Sequence, residues 1–426
     1  MVAFRIFSRL LGLAGTLVVA RLLTPADFGV VAVASTITAA TDSVTEVGVQ
    51  DTLIRLKGNQ AHLYNAGFSI QMIRALVSGL ALAIIAQFAG QWFGEPRLKP
   101  VLLTLAVVYS VAGLENIGVV EFRRLLRFNA EFLLSAIPRL AGFIVTVITA
   151  VTLRSYWALV LGIATTKLVR LIYSYRAHPY RPRFGLHGWR DLAGFTFWTW
   201  MSALAYIVWN RADAIIIGSG LGAAKLGIIV MASDVAQLPT SELLAPIGAV
   251  LFTALAAARN DGSNPITMAF PIASMLLMIL APMAIIVSAV SGDLVAVLLG
   301  PEWRDAQTLI AILACLGLLG PFTYVSSVAL TADSRLKLNF TIVIVSSMVK
   351  IALLSAAVRT GDMRLVACAS IGTAAAEGLI FIAVLRRQGA QLSRVGMAVL
   401  RTLGACAMCA GAMALSGAAW QATMLP

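Results

Sequence analysis

Apolar runs of roughly 20 residues follow one another almost from end to end of this chain, separated by short polar breaks, and each can cross a hydrocarbon core as a helix. The runs fall at 3–22, 28–49, 66–88, 101–120, 132–153, 157–173, 195–218, 226–252, 265–289, 308–330, 338–358, 365–385 and 397–419. With 60% hydrophobic and 12% charged residues, and a mean hydropathy of +0.90, a water-soluble fold of this length is excluded. The expected fold class is all-α: a polytopic membrane protein of about 13 transmembrane helices, in two six-helix lobes plus a C-terminal helix. The expected boundaries are an N-terminal lobe at 1–174, a basic cytoplasmic connector at 175–193, a second lobe at 194–386 and the additional helix at 387–426.

A net charge of +13 would suggest nucleic acid in a soluble chain. Here the Lys and Arg residues concentrate in alternate breaks, about twenty on one side against about eight on the other, so the positive-inside bias accounts for them. No nucleic-acid partner is expected, and the N-terminus is placed in the cytoplasm. The first run reads as an ordinary span, with no cleavable signal.

An internal repeat supports the two-lobe reading. PADFGVVAVAS at 25–35 aligns without gaps on AAKLGIIVMAS at 223–233, and Arg127-Phe128-Asn129 has a counterpart in Lys337-Leu338-Asn339. The copies are six crossings apart, which implies a parallel repeat.

With cations such as Arg5, Arg9, Lys167 and Arg170 assigned to the inner segments and helix ends, eleven charged residues are singled out within the runs: Arg74, Arg139, Arg211 and Lys350, with Asp42, Glu46, Glu115, Asp213, Asp234, Glu242 and Glu377. Each would cost about 3 kcal/mol facing lipid, so they must face one another or a wet cavity. Glu46, Glu115 and Glu242 sit near inner helix ends and read as structural. Lys350 and Glu377, on consecutive spans, are placed to pair. Arg74 and Arg139 fall in the cytoplasmic half of the first lobe with no carboxylate placed nearby, an arrangement suited to an anionic headgroup. Arg211 and Asp213 are too close in sequence to share a helix face and should reach different neighbours. Pro138, Pro239 and Pro246 interrupt their spans as hinges or static kinks.

Several chemistries lack their residues. The histidines, His62, His178 and His187, fall in breaks, and the four cysteines lie in apolar runs; Cys406 and Cys409 read as small packing residues before redox or metal ligands. No Walker A loop or G-x-S-x-G occurs, and no extramembrane segment is long enough to carry a polymerase site. The chain is expected to be no enzyme, with no metal and no cofactor.

ARLLTPADFGVVAVASTITAATDSVTEVGVQDTLIR at 20–55, in which Glu46, Gly48, Leu53 and Ile54 match a recurrent ending, resembles the opening hairpin of the polysaccharide transporter branch of the multidrug/oligosaccharidyl-lipid/polysaccharide exporter superfamily. NRADAIIIGSGLGAAKLGIIVMASDVAQLPTSELLAPIGAVLFTAL at 210–255 and LLGPEWRDAQTLIAILA at 298–314 resemble later segments of the same family. The resemblance implies a flippase carrying polyprenyl-pyrophosphate-linked oligosaccharide repeat units across the bacterial inner membrane by alternating access, alongside membrane lipids and polysaccharide assembly proteins. In that reading Arg74, Arg139, Arg211 and Lys350 bind the pyrophosphate and glycan, while Asp42, Asp213, Asp234 and Glu377 serve proton or sodium coupling or cavity pairing. With four cations against seven carboxylates in the spans, pairing or asymmetry between lobes is required for a basic cavity. The alternatives are a cation-coupled drug or metabolite antiporter of the same superfamily and a membrane polymerase or ligase.

Overall fold

The computed structural model describes residues 11–12, 15–45, 49, 53, 61–187 and 196–388. All regular elements among them are helical. They divide into two compact units, Met1–Gly227 and Ile228–Pro426. Among the described residues, six helices are long and apolar enough to cross a membrane, and counting each of two bent pairs as one span brings the number to eight. The run at 397–419 and most of the one at 3–22 lie outside the described residues, as does Glu46.

In the first unit, α1 spans Pro25–Val44, α2 Ala61–Trp92, α3 Leu98–Ala112, α4 Val120–Arg124, α5 Phe128–Leu153, α6 Trp157–Ala177 and α7 Thr196–Leu221. The start of α1 is fixed by local chemistry. Thr24 Oγ1 accepts the Asp27 N–H at 3.3 Å while Asp27 Oδ2 accepts the Thr24 N–H at 3.2 Å, and Pro25 occupies the first turn. Two otherwise orphaned donors are thereby satisfied. Asp27 Oδ1 also receives Arg97 Nη1 at 3.2 Å, tying this turn to the one between α2 and α3.

The expected span at 101–120 is broken. The chain leaves α3 at Gly113 and turns by 71° into a short 3-10 turn and α4. Gly113 permits this because a Cβ there would lie 2.1 Å from the Ala75 side chain. The carbonyls freed by the break are taken up by Gln71, whose Nε2 donates to Gly113 O at 3.1 Å and Glu115 O at 3.2 Å. Asn116 Oδ1 then accepts the Gly118 N–H at 3.0 Å to start the next turn. A span cannot leave such groups bare, so the break depends on these amides.

Close packing in this unit uses small residues. Gly142 on α5 faces Thr166 on α6, and Gly162 on α6 faces Thr146 on α5; a Cβ at either glycine would meet the opposing Oγ1 within 2 Å. The glycines shared by the repeated segments have a similar role. Gly29 lies against the Ala223 carbonyl and Gly227 against that of Pro25, each too close for a side chain.

α8, Ala223–Asn260, runs on into the second unit as one helix that includes Pro239 and Pro246. There α9 spans Pro265–Ala289, α10 Ala306–Leu313, α11 Leu316–Ala332, α12 Leu336–Val358 and α13 Met363–Arg387, with α10 and α11 bent by 43°. The unit's apolar core gathers Leu255, Phe270, Leu280, Val325, Leu330, Phe381 and Leu385.

Candidate polar cavities in the first unit

Two adjoining cavities open among α1, α2, α3, α5 and α6. The larger, about 670 Å³, is lined by Arg123, Arg139, Glu131 and Phe132 together with Glu115, Lys167 and Arg170. The smaller, about 110 Å³, is lined by Asp42, Arg74, Tyr109 and Ser78 and by the same Glu115, Lys167 and Arg170. Those three residues form the wall between the two spaces.

Three of the cations in the walls are neutralised by carboxylates from other elements. Arg74 Nη1 donates to Asp42 Oδ1 at 3.0 Å and to the Asp42 carbonyl at 3.2 Å. Arg170 Nε lies 3.0 Å from both oxygens of Glu115, which the break after α3 turns toward α6. Arg123 Nε donates to Glu131 Oε1 at 2.8 Å at the rim of the larger cavity. Lys167 differs. Its Nζ stands 4.3 Å from the centroid of the Tyr109 ring, and no carboxylate among the described residues lies at ion-pair distance. An ammonium over an aromatic face is held by the ring quadrupole and keeps its charge available.

Counting side chains, the larger cavity carries four cations against two carboxylates and the smaller three against two. The excess of acid counted along the sequence therefore does not describe these two cavities.

The expectation that Arg74 has no carboxylate near it is corrected: Asp42 on α1 pairs with Arg74 on α2, 32 residues apart. Arg74 and Arg139 do not share one cavity; they lie in neighbouring ones. Glu115 is a pairing residue, as expected, but in the cavity wall. Arg211 is exposed on α7, within electrostatic reach of Tyr109, and Asp213 is half-buried two residues later. In the second unit Lys350 is 8% exposed and Glu377 lies within its electrostatic reach, the neighbours their spans suggested, while Asp234 is exposed on α8. The Glu242 side chain lies outside the described residues.

Lys167 and Arg170 fall among the inner-side cations in sequence, and the structure sets both in the walls of the two cavities. Their spacing of three in ATTKLVRL puts both on one helix face beside Thr166, a signal of a polar stripe.

The family model described as "Polysaccharide biosynthesis protein" matches residues 18–308. The chain belongs to that family. Within it, similarity extends to the succinoglycan biosynthesis transport protein ExoT of Rhizobium meliloti, 24% identical over 299 residues, covering 70% of this chain and 60% of ExoT. The lipopolysaccharide biosynthesis protein WzxC of Escherichia coli is 24% identical over 342 residues, covering 78% of this chain and 68% of WzxC. Among solved structures, the lipid II flippase MurJ in an inward closed conformation superposes with a TM-score of 0.75 at 16% identity, over 96% of this chain and 92% of MurJ. An inward-facing multidrug resistance MATE family transporter superposes at 0.68 with 13% identity, over 90% and 96%. The fold of this family member is thus that of polytopic membrane proteins.

Proposed function

We propose that the chain is a flippase, and not an enzyme, that moves polyprenyl-pyrophosphate-linked oligosaccharides across the bacterial inner membrane by alternating access. The observation that carries this reading is Lys167, an uncompensated ammonium in the wall shared by two net-basic cavities. A diphosphate presents several charged oxygens, and it can engage Lys167 directly while competing with Glu115 for Arg170 and with Asp42 for Arg74. Arg139 supplies a further cation to the larger space. The names of ExoT, WzxC and MurJ agree with a lipid-linked glycan as cargo. Thirteen crossings in two lobes related by a parallel repeat, with the N-terminus in the cytoplasm, complete the proposal, and Glu377, Asp213 and Asp234 remain the candidates for proton or sodium coupling.

A cation-coupled antiporter is the second reading, favoured by the carboxylates Asp42 and Glu115 lining the same cavities. Cells carrying Lys167→Ala, at matched protein level, separate the two. The flippase reading requires loss of surface polysaccharide and accumulation of lipid-linked repeat units on the inner side, with recovery by Lys167→Arg. Undiminished surface polysaccharide in the alanine variant rules it out.

A further inference from the structure

The chain beyond α6 does not leave the first unit. Residues 178–187 run as an extended strap along the end of the unit where α2 begins and α6 ends. Asn65 Oδ1 accepts from Tyr180 Oη at 2.7 Å and from the Arg183 N–H at 2.8 Å, and Ser69 Oγ accepts from the Gly185 N–H at 2.8 Å. Asn116 Nδ2 donates to Tyr180 O at 2.7 Å. His178 is buried against Phe122, with Nε2 at 3.2 Å from Glu121 Oε2 and the Tyr180 N–H donating to Nδ1 at 3.2 Å.

What the strap turns outward has two kinds of chemistry. Arg181 and Arg183 are exposed, and beside them Phe184 is 64% exposed. The neighbouring turn between α4 and α5, joined to this end through Arg124 on Tyr64 and Tyr64 on Tyr180, repeats the combination. There Leu126 is 66% exposed and held at φ +54°, with Arg127 exposed next to it. A leucine in the left-handed region, aimed at solvent, costs free energy that packing within the chain does not return. Arg127 and Arg183 have no carboxylate at ion-pair distance among the described residues, and Arg181 is steadied by the carbonyls of His178 and Tyr180.

We infer that this strap and turn form a docking surface for the anionic phospholipid headgroups of the leaflet on that side, with Arg127, Arg181 and Arg183 at the phosphates and Leu126 and Phe184 in the upper acyl region. Bulky apolar side chains interleaved with unpaired arginines, at the end of apolar spans, match the headgroup boundary, where the two chemistries meet within one side-chain length. A water-soluble acidic partner would leave Leu126 and Phe184 uncovered. The inference is independent of the cargo proposed above, since it requires only that the spans sit in a bilayer.

The test uses the full chain in phosphatidylcholine bilayers doped with spin-labelled phosphatidylglycerol or spin-labelled phosphatidylcholine, reading the motionally restricted fraction by electron paramagnetic resonance. The expected result is a preference for the anionic label of about fivefold. Replacing Arg127, Arg181 and Arg183 together by Ser abolishes it, and replacing all three by Lys retains it. Each single Ser replacement lowers the preference in part, so the reading survives misfolding of the triple variant. No preference in the wild type, or an undiminished preference in the Ser variants, overturns the inference. Binding of soluble polyglutamate through the same arginines without lipid preference overturns it in favour of an acidic protein.

Discussion

The Lys167 ammonium sits over the face of the Tyr109 ring, 4.3 Å from its centroid, in a wall where Arg74 and Arg170 are each matched to a carboxylate. The ring holds the cation in place without neutralising it, which distinguishes Lys167 from its neighbours. Tyr109→Leu is expected to weaken diphosphate-lipid binding by about 1 kcal/mol, while Tyr109→Phe retains it, because the ring face and not the hydroxyl is used. Titration of the purified variants with a polyprenyl diphosphate checks this, and equal losses in both point to the hydroxyl instead.

Asp42 and Arg74 form the clearest case for a coupling measurement. Arg74→Ala leaves Asp42 without its cation, and Asp42→Asn leaves Arg74 unneutralised, so the double variant should be less impaired in stability than the two single effects added. The expected coupling is about 0.5–3 kcal/mol, read as thermal midpoints in one detergent. In binding, Asp42→Asn alone should raise affinity for the diphosphate lipid, since a competing internal anion is gone.

At the broken span, Gln71→Ala removes both hydrogen bonds to the freed carbonyls of Gly113 and Glu115. A loss of about 1–3 kcal/mol is expected. The cavity should suffer too, because Glu115 is aimed at Arg170 by that same turn. Retained stability with unaltered binding would show that water replaces the amide.

Gly29→Ala places a Cβ 1.7 Å from the Ala223 carbonyl oxygen, whereas Gly378→Ala meets open space. The first should lower the amount of folded protein in the membrane, at a cost of about 1–3 kcal/mol from forced separation of the backbones. The second should leave that amount unchanged. Size-exclusion profiles of solubilised membranes give the comparison directly.

Outside the spans, hydrogen bonding from Arg97 holds the Glu95 carboxyl below its usual range, against the opposing effect of burial. Arg97 Nε lies 2.8 Å from Glu95 Oε1. A carboxyl depressed in the folded state stabilises above its unfolded value, near pH 4, and that contribution disappears as pH falls through the folded value. Because Arg97 is partly solvated, the effect should stay under about 1 kcal/mol. Glu95→Gln is therefore expected to lower the melting temperature slightly at neutral pH and to shrink the loss on acidification below about pH 4.

Hydropathy alone determined that this chain is an all-helical membrane protein, because runs of apolar residues near the thickness of a bilayer have no other stable fold in lipid. The sequence also placed Lys350 beside Glu377, because consecutive helices of this kind are antiparallel neighbours. Tertiary structure alone decided the pairing of Asp42 with Arg74 and the place of Glu115. Asp42 meets Arg74 through the packing of α1 against α2, which no residue pattern specifies, and Glu115 enters the cavity wall only because the span at 101–120 breaks after Ala112 under the hydrogen bonds of Gln71. Lys167 was visible as a residue but not as a site. A cation in an apolar helix carries the same signal whether it snorkels to water or lines a cavity, and only the packing of α3 against α6, which sets Tyr109 beneath its ammonium, tells the two apart.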